Sequence, residues 1–187
     1  MSSKYNAILK GRPSRWIPPG MPPSPDHKTL QGLRGQIWVS SYVESLTNRN
    51  LLAYARHWYG QDPISGKLFP FDIEVFTNNG KYVAGIEVKC KRPFFHLGSR
   101  WTGLNEDQFC RMLRHLKWRK RLLIVFVESK DKIYGHDITF LEDFQKWGYT
   151  YMVKDKSGQK IVCFPVNLLL PFDLLLGAME IRTNAEN

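Results

Sequence analysis

Asp72, Glu74, Glu87 and Lys89 are three carboxylates and one amine whose spacing can do phosphate chemistry. Asp72-Ile-Glu-Val-Phe alternates polar and apolar residues, as a half-buried strand does. Tyr82 to Lys89 alternates again, and a strand sends residues i and i+2 to one face. Glu87 and Lys89 therefore point one way, and Ile86 and Val88 the other. Asp72 and Glu74 form the matching pair on the first strand. Carboxylates gathered like this suit a hard divalent cation, Mg2+ or Mn2+, which takes oxygen ligands and needs only one or two carboxylates beside a substrate phosphate. Such an ion polarises a phosphoryl oxygen and lowers the pKa of a bound water. A lysine on the same face can orient that water or stabilise the charge that develops. A solvated strand face with no chemical role is the competing reading, because Glu-x-Lys alone is a weak signal.

The two strands must be joined for this to work. Asn78, Asn79 and Gly80 tolerate positive φ, so the spacing predicts a β-hairpin over Phe69–Lys91. Around it, Thr29–Leu46 reads as a helix, with apolar residues recurring at about helical spacing from Leu30 to Leu46. Leu51–Trp58 reads as a strand. Asn105–Lys120 reads as a second helix, with Asn105 as N-cap, Gln108 completing a capping box, and an apolar stripe of Phe109, Met112, Leu113 and Leu116. Leu122–Glu128 is a nearly unbroken apolar run, as in a strand buried on both faces. Thr139–Trp147 reads as a short helix. Tyr149–Val153 and Lys160–Val166 read as strands around a Lys156-Ser157-Gly158 turn. The apolar stretch Val166–Phe172 suits a cap on the core or a dimer interface.

Pro70-Phe71-Asp72 followed by Glu87-Val88-Lys89 resembles the PD-(D/E)XK nuclease superfamily. One residue, Phe71, separates the proline from the aspartate here. The resemblance covers about Thr29–Glu128 and implies an α/β fold: a restriction-endonuclease-like αβββαβ core with a mixed central sheet flanked by helices. It implies that Asp72 and Glu87 hold a divalent metal, helped by the main-chain carbonyl of Val88, and that Lys89 is the catalytic lysine. Many members carry a glutamate on the first helix that reaches the metal. Gln36 stands at that position, and Glu44 is the possible substitute, so the third ligand is left open. A glutamine or lysine often opens the second helix facing the site; Gln108 matches it, alongside its capping role.

Composition narrows the partners. The chain of 187 residues is long enough for one domain with a real core, and its formal net charge is +10, from 27 basic and 17 acidic residues. A polyanion is the simplest partner for that excess. The basic residues cluster after the hairpin, at Lys91 and Arg92, and along the second helix, at Arg111, Arg114, Lys117, Arg119, Lys120 and Arg121. These are the expected phosphate contacts. Phe94, Phe95, His96 and Trp101 lie beside them, with Gly98 and Gly103 read as breakers. Aromatics next to basic residues suit base stacking or a wedge into a distorted duplex, and suit core packing equally well. His57, near the end of the strand Leu51–Trp58, and Asp62, on the long linker that follows, lie near the site in sequence.

The expected organisation is a proline-rich basic arm (1–28), a single nuclease-like domain (29–180) and a polar tail (181–187). Three widely spaced cysteines, Cys90, Cys110 and Cys163, fit neither a disulfide framework nor a zinc site. They point to an intracellular compartment: cytoplasm, nucleoid or a host cell. No signal peptide or membrane span is expected. The leading function is a Mg2+-dependent endonuclease acting on branched or duplex DNA, of the junction-resolving kind, working as a homodimer. A sequence-reading restriction-like or homing endonuclease is the enzymatic alternative. A non-catalytic nucleic-acid-binding protein on the same fold is the second class.

Overall fold

The computed structural model describes residues 27–45, 51–55, 71–77, 79–116 and 121–177, with the backbone alone for 27–29, 44 and 51–55. Most of the proline-rich arm, His57, Asp62, Pro70, Lys117, Arg119, Lys120 and the polar tail lie outside these residues. In chain order the elements are α1 (His27–Ser45), β1 (Leu51–Ala55), β2 (Ile73–Thr77), β3 (Tyr82–Cys90), β4 (Phe94–His96) and β5 (Ser99–Asn105). There follow α2 (Glu106–His115), β6 (Leu122–Ser129), β7 (Lys132–Asp137), α3 (Ile138–Lys146), β8 (Tyr151–Lys154), β9 (Lys160–Pro165) and β10 (Leu170–Pro171). Residues 172–177 are helical. The expected αβββαβ order is present, with the β4–β5 hairpin inserted between its third strand and its second helix.

The central sheet is mixed and six-stranded, in the order β1-β2-β3-β6-β7-β10. β3 and β6 run parallel at its middle; β1–β2, β2–β3, β6–β7 and β7–β10 are antiparallel. A second sheet has the order β4-β5-β9-β8. The unbroken apolar run of β6 has a direct cause, because its two faces feed two cores. Leu123, Val125 and Val127 join Ile73, Val75, Ala84, Ile86 and Val88, under Val39 and Val43 of α1 and Phe172, Leu175 and Leu176. Leu122, Ile124 and Phe126 join Phe109 and Met112 of α2, Ile138, Leu141 and Phe144 of α3, and Leu104, Val162 and Phe164 of the second sheet. Helices thus cover both faces, and the apolar stretch after β9 caps the core: Leu169 and Phe172 are buried.

Four strands were not anticipated: β4, β5, β7 and β10. Two glycines, of which Gly103 was read as a breaker, explain two of them. A Cβ on Gly103, inside β5, would lie 2.2 Å from the Val162 carbonyl oxygen, and one on Gly135, inside β7, 2.2 Å from that of Ile124. Both glycines are strand residues that allow a neighbouring backbone to approach closely. Gly98 does mark a turn. With Leu97 it forms the two-residue β4–β5 loop, both at positive φ (48° and 73°). A leucine in that left-handed region costs roughly 1–2 kcal/mol.

The backbone contacts predict that Gly103→Ala and Gly135→Ala each destabilise by about 1–3 kcal/mol in denaturant titrations. Gly32→Ala is the counterpart: it lies inside α1 with nothing within 4 Å of the added carbon, and should stabilise by roughly 0.5–1 kcal/mol.

Candidate active site

The β2–β3 hairpin builds the centre. Ile73 pairs with Ile86, so one residue further on Asp72 lies beside Glu87. The Asp72 amide donates to the Ile86 carbonyl at 3.0 Å. The Val88 amide donates to Asp72 Oδ2 at 2.8 Å. The peptide that follows Glu87 therefore holds the Asp72 carboxylate next to that of Glu87. Glu87 is 5% exposed and Glu74 2%. The reverse face of the hairpin is the apolar one expected, since Ile73, Val75, Ile86 and Val88 all enter the α1 core.

Lys89, two residues after Glu87 and on the same face, places Nζ 2.7 Å from Glu87 Oε1. Gln108, in the first turn of α2, donates from Nε2 to the same oxygen. The capping box expected at this helix is absent: Asn105 makes no side-chain cap bond, and its Nδ2 donates to Gln159 Oε1 at 2.8 Å instead. With Glu87 within reach, Gln108 forms a charge-assisted bond to a buried carboxylate, which is stronger than a cap bond at an exposed helix end.

Two buried carboxylates side by side must lower their mutual repulsion. Burial raises the Asp72 carboxyl most, and the Glu87 charge raises it further, against the Val88 amide and Lys89, to about 7. Lys91, two residues beyond Lys89, is held below the usual lysine range, by burial first and by Lys89 second, while Cys163 opposes the shift. Burial pushes the Cys163 thiol up.

Two carboxylate oxygens, Asp72 Oδ1 and Glu87 Oε2, are hydrogen bonded to no described residue. Two hard oxygen donors on a buried like-charged pair fit the chemistry of a divalent cation. Among the described residues no cluster of three or more His, Cys, Asp or Glu occurs. Gln36, one candidate for a third ligand, has no described hydrogen bond to the pair. Gln36 lies on α1, whose neighbouring Gly35 packs against Val88 and Cys90 on the opposite face of β3. Gln36 Oε1 is buried without a hydrogen-bond partner, and the Glu44 side chain lies outside the described residues. Arg92, Arg111 and Arg114 are exposed and form no ion pair with a described residue. Arg121 adjoins the hairpin, its carbonyl accepting from the Gly85 amide at 3.1 Å.

One pair escaped the sequence reading. Arg100 of β5 forms an ion pair with Glu128 of β6, tying the inserted hairpin to the central sheet beside Lys91. Nothing in the spacing of the two residues signals it, since the contact depends on how the two sheets pack.

The raised Asp72 carboxyl has a sign that can be tested. Protonated Asp72 carries no penalty below about pH 4; the penalty grows as pH rises through about 7, so Asp72 costs metal-free stability at alkaline pH. Asp72→Asn keeps an acceptor for the Val88 amide. In EDTA it should raise Tm by about 5 °C at pH 8 and have little effect at pH 4. Mg2+ at pH 8 should raise Tm of the parent protein and not of this variant, as differential scanning fluorimetry would show.

No protein-family model matches the chain, and no curated protein matches it. Its fold is shared with a solved structure described as D212, a nuclease from a fusselovirus: the TM-score is 0.55 at 9% sequence identity, over 83% of this chain and 92% of that one. The likeness is one of backbone architecture.

Proposed function

We propose that the protein is a metal-dependent DNA endonuclease that hydrolyses phosphodiester bonds, selective for branched structures in the manner of a Holliday-junction resolvase. The observation that carries this reading is the Asp72–Glu87 pair, Glu87 buried and Asp72 partly so, with Lys89 and Gln108 both bonded to one oxygen of Glu87. A purely structural hairpin has no reason to bury two adjacent carboxylates. The fold shared with a viral nuclease agrees with it.

In this reading Asp72 and Glu87 hold Mg2+ or Mn2+, with the Val88 carbonyl as a further oxygen donor. When bound, the ion supplies Lewis-acid polarisation of a phosphoryl oxygen and a more acidic water. Lys89 orients the attacking water and stabilises charge on the scissile phosphate. Gln108 fixes Glu87 and presents its amide to a water or phosphate oxygen. Burial keeps this small set of groups in a low-dielectric setting, where each interaction is stronger than in water. Lys91, Arg92, Arg111 and Arg114 follow the DNA backbone, continued by Lys117, Arg119, Lys120 and Arg121. One such centre cuts one strand, so paired cuts across a junction require a homodimer.

A second reading, a non-catalytic nucleic-acid-binding protein on this fold, is favoured by Gln36 in place of an acidic residue and by the absence of a three-group acidic cluster among the described residues.

Cleavage of single-stranded, duplex, flap and four-way-junction DNA with Mg2+, Mn2+ or EDTA separates the two. The nuclease reading expects metal-dependent cleavage that prefers the junction and falls at least about a hundredfold in Glu87→Ala and in Lys89→Ala, with affinity in EDTA kept within about threefold. Binding without cleavage in every condition selects the second reading. Removing Arg111 and Arg114 together should flatten the slope of log affinity against log salt by about 1.8, or roughly 0.9 per phosphate contact.

A further inference from the structure

The β4–β5 hairpin leaves the catalytic strand directly, and its tip is apolar and open to solvent. Phe95 is 77% exposed and Leu97 83%. The tip is not a loose end. At its base His96 stacks on Tyr151, with ring centroids 4.2 Å apart, and Trp101 packs edge-on to both rings. Trp101 Nε1 also donates to the His96 carbonyl at 2.9 Å. This aromatic cluster holds the hairpin against β8, and Phe95 and Leu97 are left outside it as the most exposed large apolar residues of the hairpin. Leu97 is held at positive φ (48°), a conformation that leucine rarely adopts.

The tip also has a defined position relative to the centre. Phe95 lies across the ladder from Arg100, and Arg100 is paired with Glu128. In β6, Val127 is in register with Cys90 and accepts from the Lys91 amide. Glu128 is therefore beside Lys91, on the face that carries Lys89 and Glu87. Phe95 is six positions beyond Lys89, a Cα-to-Cα reach of at most about 20 Å, or about six base steps at 3.4 Å. Between them lie Lys91 and exposed Arg92. An apolar tip beyond cationic groups has the chemistry of a wedge: the cations hold phosphates while the apolar side chains enter between bases.

Building on the nuclease reading above, we propose that Phe95 and Leu97 are a wedge that inserts into the DNA base stack within about six nucleotides of the scissile phosphate. The wedge is the basis of substrate choice. At a branch point some bases are already unstacked, so insertion there costs less than in continuous duplex.

The test uses the full-length protein in EDTA, so that no strand is cut, with four-way junctions and duplexes carrying 2-aminopurine at successive positions. Binding should raise fluorescence at one or two positions, and the cleavage map in Mg2+ should place the cut within about six nucleotides of them. Phe95→Ser/Leu97→Ser, checked for folding by circular dichroism, should abolish the rise. It should also cut the preference for junction over duplex on the order of tenfold, leaving duplex affinity unchanged. Cleavage and binding with no fluorescence rise, or a rise that persists in the double variant, overturns the wedge and leaves the nuclease reading standing. A double variant that shifts from dimer to monomer in sedimentation assigns the tip to contact between copies and overturns the wedge likewise. A protein that binds no DNA overturns both.

Discussion

The structure depends on two carboxylates that cannot move apart. The Asp72 amide is bonded to Ile86, and the Asp72 carboxylate to the Val88 amide, so Asp72 is held on both sides of Glu87 in sequence. Glu87 is held by Lys89 and Gln108. A register slip of one residue would exchange the faces and send Ile73 and Ile86 into the polar centre, and the two cores on either side of the sheet forbid that. The remaining relief for the repulsion is to bind a cation. A proton serves when nothing else is present: burial first, and the Glu87 charge second, raise the Asp72 carboxyl to about 7. A divalent ion relieves the same repulsion while leaving both groups ionised. On the proposed function, the cost of burying the pair would become affinity for the ion, in the sense that any ligand of the folded state stabilises it.

Much of this was legible in the sequence because local pattern and tertiary role coincide. Period-two alternation named the hairpin and its polar face, and the continuous apolar run of β6 named a strand with a core on each side. Asn79 and Gly80 supplied the turn, with the Gly80 amide bonded to the Thr77 carbonyl at 2.9 Å. What was not legible follows from contacts between distant segments. Gly103 and Gly135 resemble breakers by type, yet each sits inside a strand because another backbone passes where a Cβ would be. Asn105 has the identity of a cap and is drawn instead to Gln159, across the second sheet. Gln108 was assigned both a cap role and a site role, and the buried carboxylate took it. The phosphate-contact set is only partly described, since Lys117, Arg119 and Lys120 lie outside the described residues.

The inserted hairpin bears on how a small fold acquires substrate choice. The β2–β3 hairpin and the first turn of α2 carry the centre, and their geometry has little freedom to vary without moving a carboxylate. The β4–β5 hairpin follows β3, leads into α2 and is anchored by Arg100 to Glu128, so its tip can change without disturbing Asp72 or Glu87.

The same logic assigns α2 a double task. Its buried side, Phe109 and Met112, joins the core, and its first turn sends Gln108 to Glu87. Arg111 and Arg114 follow at intervals of three residues, about 4.5 and 9 Å further along the axis, and both are exposed. Because Gln108 is bonded to the carboxylate, the axial positions of the two arginines are set relative to the centre itself. A helix seated only by its apolar stripe could shift along that stripe; one tied by its first turn to Glu87 cannot do so without breaking a charge-assisted bond inside a buried site. On the proposed function, phosphates aligned along α2 would then lie at a fixed distance from the centre, so the groups proposed to bind the DNA backbone would also determine which phosphate reaches Lys89.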